Sequence, residues 1–231
     1  MNTIQSIKNK LKVLTGKISS VKVEVDIHRE WYGNAYGGFY VHPDKLNNQS
    51  VVYSFGIGED ISFDTAIMQQ HGAQVFAFDP TPKSINWIKK QPPMAGFRFQ
   101  DYGLGATTGF VTFNLPKNAD HVSGSVADHK NVDSHNSISV PMKSFADIVK
   151  EFGHTHIDVL KMDIEGSEYA VVESILASPV KIDQILVEIH ERFYPDGKAR
   201  TQQLLNAFKA HGYKVFGVSD SLEEISFIKI N

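Results

Sequence analysis

The sequence predicts an α/β fold: a mostly parallel, seven-stranded sheet with helices on both faces and one antiparallel strand. The first observation is the stretch VVYSFGIGED, Val51 to Asp60. There an apolar run stops at two glycines one residue apart and an amphipathic segment follows, the signature of a strand turning sharply into a helix. The second is the next apolar run, Gln74 to Phe78, which ends in Asp79, 21 residues after Gly58. The third is a pair of strand-like runs, Tyr213 to Val218 and Glu224 to Ile230, joined by the tight segment Ser219-Asp220-Ser221. A sheet otherwise built from strand–helix–strand crossovers therefore ends in a hairpin.

Taken in order, Ile4, Ile7, Leu11 and Leu14 fall at helical spacing. With lysines spread through the same segment and no unbroken apolar core, it reads as a short amphipathic helix packing on the domain, neither a signal peptide nor a membrane span. VKVEV, Val21 to Val25, alternates as a strand does, and the passage WYGNAYGGFYVHP after it shows no regular element. Residues 1–50 are thus expected to form an N-terminal helix and an aromatic lid or cap, and residues 51–231 the main domain. A first helix spans Ser62 to His71, stopped by Gly72. A second, Lys83 to Lys90, starts at Pro80-Thr81-Pro82 and ends before Pro92-Pro93. Phe97 to Phe99 is a short third strand. Phe110 to Phe113 reads as a strand, His121 to Ser139 as a long polar loop on the acceptor-binding side with Ser123, Ser125 and His121 as candidates, and Ile138, Val140 and Met142 as an extended piece. Ser144 caps a helix closed by Gly153, and the buried strand Ile157 to Met162 leads to a helix from Glu168 to Ala177. The strand Gln184 to His190 and a helix from Thr201 to His211 complete the pattern before the closing hairpin.

Composition narrows the class. Apolar residues make up 42% and charged residues 21% of 231, ordinary for a single globular core. A net charge of −3 offers no nucleic-acid surface. The absence of cysteine removes disulfides, zinc–thiolate sites and thiol nucleophiles together, and a reducing cytoplasm needs no further explanation.

The glycine turn carries the first candidate chemistry. Gly56 and Gly58 lack a Cβ, so the backbone can take positive φ and a ligand can approach it closely. Asp79 stands about where an α/β nucleotide fold places the carboxylate that receives two ribose hydroxyls. The pattern departs from the dinucleotide fingerprint: the position of its third glycine is Ile61, and Glu59 and Asp60 open the helix, where their charges would repel a pyrophosphate. S-adenosylmethionine suits these residues, having an adenosine, an ammonium and a sulfonium but no phosphate. A plain turn with Asp60 or Ser62 as helix cap suits them equally. Asp101, after the third strand, is expected to face the adenine or to sit in a surface turn.

The second candidate cluster follows from strand ends. Ligands of open parallel sheets bind outside the carboxyl ends of the strands, where Asp163, Glu188 and His190 fall, with Glu165 beside them. With an unperturbed pKa near ~6.5, His190 is the first choice of general base, and Glu165 either hydrogen-bonds an acceptor or braces its loop. A second role for Asp163, Glu188 and His190 is to hold Mg²⁺ or Mn²⁺, although no fixed ligand spacing marks a metal site. Lys161, inside a buried strand, is expected in a structural ion pair, and His154, His156 and His211 are expected to be solvated or capping.

Four segments in this order, YSFGIGEDISFD (Tyr53 to Asp64), VFAFDPTP (Val75 to Pro82), LKMDIEGSEY (Leu160 to Tyr169) and ILVEIHERF (Ile185 to Phe193), span about two-thirds of the chain. Together they resemble the FkbM family of S-adenosylmethionine-dependent O-methyltransferases. The resemblance implies a Rossmann-like class I methyltransferase fold, S-adenosylmethionine as cofactor, contacts to it from Gly56, Gly58, Asp79 and Asp101, and an acceptor hydroxyl on a sugar, glycan or natural product. Many class I methyltransferases carry an acidic residue two positions before the first glycine of the turn; here that position is Ser54. Anchoring of the methionine ammonium is then expected from Glu59, Asp60 or main-chain carbonyls. A non-catalytic nucleotide-binding protein on the same fold is the alternative.

Overall fold

A computed structural model of the chain describes residues 18–116 and 132–230. The expected N-terminal helix and the candidates His121, Ser123 and Ser125 lie outside the described residues. Strands β3 (Val51–Phe55), β4 (Gln74–Phe78), β5 (Phe97–Gln100), β9 (His156–Met162), β10 (Lys181–Glu188), β11 (Tyr213–Val218) and β12 (Glu224–Lys229) form one sheet in the order β11-β12-β10-β9-β3-β4-β5. Pairing is parallel from β10 through β5, and β12 runs antiparallel to both its neighbours. The fold class read from the sequence is the one observed. Among the described residues the α-helices are α1 (Ser62–His71), α2 (Pro82–Ile88), α3 (Phe145–Phe152), α4 (Glu168–Leu176) and α5 (Gly197–Ala210). α1 stops where predicted, with Gly72 left-handed at φ +68°. α5 begins four residues earlier than its periodicity suggested. Thr81 caps α2, its hydroxyl accepting the Ser84 amide.

Apolar side chains on both faces of the central strands make two core layers. One holds Tyr53, Phe55, Phe78 and Leu160 with the inner faces of α3, α4 and α5; the other holds Val52, Val75 and Val159 with Phe63 and Ile67 of α1. Three sequence expectations are corrected. Val21–Val25 is not a strand, although the amides of Glu24 and Val25 bond the Val215 carbonyl beside β11. The aromatic passage does contain regular structure, a hairpin of β1 (Glu30–Tyr32) and β2 (Phe39–Val41) that buries Tyr32, Phe39 and Val41 in the second layer. Much of the supposed polar loop is β8 (Val132–Ser144), which pairs with β7 (Gly109–Pro116) and β6 (Gly103–Gly105) in a separate three-stranded sheet. Its polar side chains misled the reading because pairing satisfies the backbone of a strand whatever its exposed face carries.

Candidate functional site

A cleft of about 360 Å³ opens at the carboxyl ends of β3, β4, β9 and β10. Its volume is that of a small-molecule site. One wall is the glycine turn. Gly56 and Gly58 take φ of +78° and +54°, and a Cβ on Gly56 would stand 1.7 Å from the Asp163 carbonyl oxygen. Only glycine lets β3 and β9 approach this closely.

Asp79 closes the turn. Its Oδ2 accepts the Gly58 amide (2.9 Å) and its Oδ1 the Thr81 amide (2.9 Å) and hydroxyl (2.6 Å). With about two acceptor positions per carboxylate oxygen, Oδ2 keeps room for one hydroxyl rather than two. Burial raises the Asp79 pKa against the lowering effect of these hydrogen bonds. Glu59 and Asp60 also line the cleft. Asp60 accepts the amide of Ser62, the first residue of α1 (2.9 Å), but the N-cap position is Ile61, so neither Asp60 nor Ser62 is the cap, and Glu59 pairs with Lys83 at 3.6 Å. Asp101, by contrast, is exposed and lies outside the cleft lining; the wall there is made by Gly103 and Leu104, with Phe78, Phe113 and Met142 completing an apolar slot beside Asp79.

Beneath the turn lies a polar column that local sequence patterns did not show. Lys161 is buried and donates to the Gly56 carbonyl at 2.8 Å, so its nearest partner is a backbone oxygen and not the carboxylate expected of it. Asp64, on the inner face of α1, is 1% exposed. Burial raises its pKa, and Lys161 and the nearby Ser54 hydroxyl act in the opposite direction. A charged residue among the apolar positions of an amphipathic helix was the available signal for Asp64.

The cleft is also lined by Asp163, beside the glycine turn, and by Glu165, Glu188 and Arg192. Glu165 is a non-glycine residue at φ +53°, a conformation that costs energy and is kept where the surroundings enforce it. The enforcing group is Glu168, fully buried, whose Oε1 accepts the amides of Ile164 (3.0 Å) and Gly166 (3.3 Å) and bonds His190 Nδ1 (3.0 Å). β10 ends at Glu188, so His190 sits two residues past the strand, yet its Nε2 reaches Glu165 and Glu188 at 3.5 Å and Asp163 at 3.9 Å. Burial lowers the His190 pKa, but Glu168, Glu188 and Glu165 outweigh it and raise the value to about 10. The ordinary value near 6.5 anticipated from sequence does not apply; as it stands here the imidazole is a cation at neutral pH. Burial and the charge of Asp163 push Glu188 well above the ordinary carboxylate range. The structure thus brings together Asp163, Glu165, Glu188 and His190, and places Gly56, Gly58, Glu59, Asp60 and Asp79 in the lining of the same cleft.

Residues 45–215 match the model of the methyltransferase FkbM domain. The chain belongs to the FkbM methyltransferase family. The FkbM chain is 27% identical over 165 residues to human probable methyltransferase-like protein 24, covering 71% of this chain and 38% of that protein. It is 29% identical over 144 residues to the rat protein of the same name, covering 62% and 33%. The chain therefore spans well under half the length of these relatives. Among solved structures, Aeropyrum pernix fibrillarin with natively bound S-adenosyl-L-methionine aligns at 8% identity and a TM-score of 0.43, over 79% of this chain and 66% of that one, too loose a match to bear on chemistry. The cleft residues themselves fit S-adenosylmethionine: an apolar slot for a purine, Asp79 beside it, and acidic side chains suited to a cationic ligand. Its two lining cations, Lys161 and Arg192, are engaged with Gly56 and with Glu223 (2.7 Å), so neither is poised for a phosphate.

Proposed function

We propose that this FkbM-family chain is an S-adenosylmethionine-dependent O-methyltransferase acting on a hydroxyl of a sugar, glycan or related natural product. One observation carries the reading: a single cleft is lined both by a glycine turn with Asp79 and by the carboxylates of Asp163, Glu165 and Glu188. When bound, S-adenosylmethionine supplies an electrophilic methyl on a sulfonium. Gly56 and Gly58 expose main chain to the methionine end, Asp79 accepts a ribose hydroxyl, and Phe78, Leu104 and Met142 enclose the base. Asp163, Glu165 and Glu188 would orient the acceptor hydroxyl, and one of them would take up its proton as the methyl passes to the oxygen, the sulfonium C–S bond breaking to leave S-adenosylhomocysteine. His190 balances their charge.

A divalent cation is a second reading, favoured by one ligand atom each of Asp163, Glu165 and His190 lying within 4.8 Å of one another. The Glu168 contact to Nδ1 is the arrangement that orients metal-bound histidines. Mg²⁺ or Mn²⁺ held there would acidify an acceptor hydroxyl.

The test is calorimetric titration with S-adenosylhomocysteine, NAD as control, and Asp79→Ala alongside, followed by mass-spectrometric detection of a methylated hydroxyl acceptor. Binding lost in the variant with NAD silent, then turnover, supports the proposal. Binding without turnover on any hydroxyl acceptor would favour a non-catalytic nucleotide-binding protein, and no binding would overturn both.

A further inference from the structure

Tyr36 stands apart from every other aromatic residue of the cleft. Its side chain is 92% exposed, yet it lines the same cleft as Asp163, Glu165 and Glu188. Its phenol lies within electrostatic reach of Glu188, Arg192, Glu165 and Asp163. Water-exposed aromatic area is unfavourable, and an isolated instance carries no meaning on its own. Here the loop that presents it is built with care. Asn34 Oδ1 accepts the amides of Tyr36 (2.7 Å) and Gly37 (2.9 Å), while the Asn34 carbonyl accepts the Trp31 indole N–H (2.9 Å). The Asn34 amide donates to the Ser62 hydroxyl (2.9 Å) and its side chain to Asp60 (2.5 Å), which bolts the hairpin tip to the start of α1. Gly33 and Gly38 pack so tightly that a Cβ on Gly33 would lie 2.9 Å from the Gly38 Cα.

We infer that Tyr36 is the platform on which the acceptor's ring packs, a specificity-determining residue that holds the acceptor between itself and Asp163, Glu165 and Glu188. This rests on the methyltransferase reading of the cleft. A fixed loop loses little entropy when a ligand docks on its ring, which is how an exposed aromatic gives affinity. The chemistry of these side chains selects the ligand. A saturated polyhydroxylated ring offers an apolar C–H face to the phenol and several hydroxyls that can donate to the carboxylate oxygens of Asp163 and Glu165 or accept from a protonated Glu188. That description is a pyranoside, and the phenol ring covers its C–H face while the carboxylates meet its edge.

The test is saturation-transfer NMR on the full chain with S-adenosylhomocysteine present, using methyl glucoside, methyl mannoside, methyl galactoside and methyl N-acetylglucosaminide, with catechol as a separate arm. At least one glycoside is expected to show contact at its ring C–H protons, weakened about ten-fold in Tyr36→Ala and retained in Tyr36→Phe. Calorimetry with S-adenosylhomocysteine is expected to be the same in all three proteins. Because Tyr36 is exposed, neither variant threatens the fold. Glycoside contact unchanged in Tyr36→Ala, contact from catechol alone, or no glycoside contact in a wild type that binds S-adenosylhomocysteine would overturn the platform and leave the methyltransferase reading standing. Glycoside contact that depends on Tyr36 in a protein that does not bind S-adenosylhomocysteine would support the platform and sink that reading instead.

Discussion

Lys161 Nζ donates to the carbonyl oxygen of Gly56 at 2.8 Å, so a side chain from the central strand β9 holds the glycine turn at the end of β3. Replacing it with methionine leaves that carbonyl without its donor and Asp64 without its nearby positive charge. Lys161→Met is expected to destabilise the fold by about 1–3 kcal/mol and to weaken S-adenosylhomocysteine binding. Urea denaturation and calorimetry check this; unchanged affinity would show that the turn holds its shape unaided.

Gly56→Ala is expected to be the most damaging change in the cleft. Positive φ and the 1.7 Å approach to the Asp163 carbonyl together leave no place for a methyl group. A loss of at least ~2 kcal/mol, read as a lowered melting temperature, is expected. A variant with wild-type stability would mean that the two strand ends separate freely.

Asp79→Asn keeps shape and removes charge, but presents amide hydrogens to a site where Gly58 and Thr81 already donate. Affinity for S-adenosylhomocysteine is expected to fall about ten-fold or more. Full retention would exclude Asp79 as the group that holds the ribose.

The metal reading predicts that stoichiometric protein quenches the paramagnetic resonance of free Mn²⁺, and that His190→Ala and Asp163→Asn abolish the quenching. Spectra identical to those of Mn²⁺ in buffer would remove the cation from the mechanism.

Acid sensitivity is expected from two histidines outside the cleft. His154 meets the Tyr53 hydroxyl and His71 the Tyr32 hydroxyl, each at 2.8 Å. Burial, the first cause in both, lowers both pKa values below 6.5. Above that value both are neutral whether folded or not, and stability is complete. As pH falls below it the unfolded chain binds protons first, and stability drops until the folded-state pKa is passed. His154→Gln is expected to flatten this decline between pH ~7 and ~5 relative to wild type in urea midpoints; an identical slope would assign the decline to other groups.

What could be read from sequence was what neighbouring residues decide. Gly56, Gly58 and Asp79 declare themselves because turn chemistry and strand ends are local, and the mostly parallel sheet with its closing hairpin followed from apolar runs and the short turn between the last two. Of the long strand β8, the extended piece at Ile138 to Met142 was read, but its polar first part was missed because such residues resemble a loop until β7 is laid beside it. Asp64 and Lys161 meet only through tertiary packing. So too with His190: Glu165 and Glu168 reach it from the segment after β9 and Glu188 from the end of β10, and only packing of the two strand ends brings these charges together.

β11 joins the seven-stranded sheet through β12, the strand that follows it in the chain. During synthesis β11 therefore emerges before its sheet partner exists, and it waits as an unpaired edge of the kind that invites wrong partners. Sheet closure is a late, long-range event that falls to the stretch from Glu224 to Lys229. Nascent chains arrested before Glu224 are expected to expose β11 to protease, with protection arriving in one step once the final strand is free to slot into place.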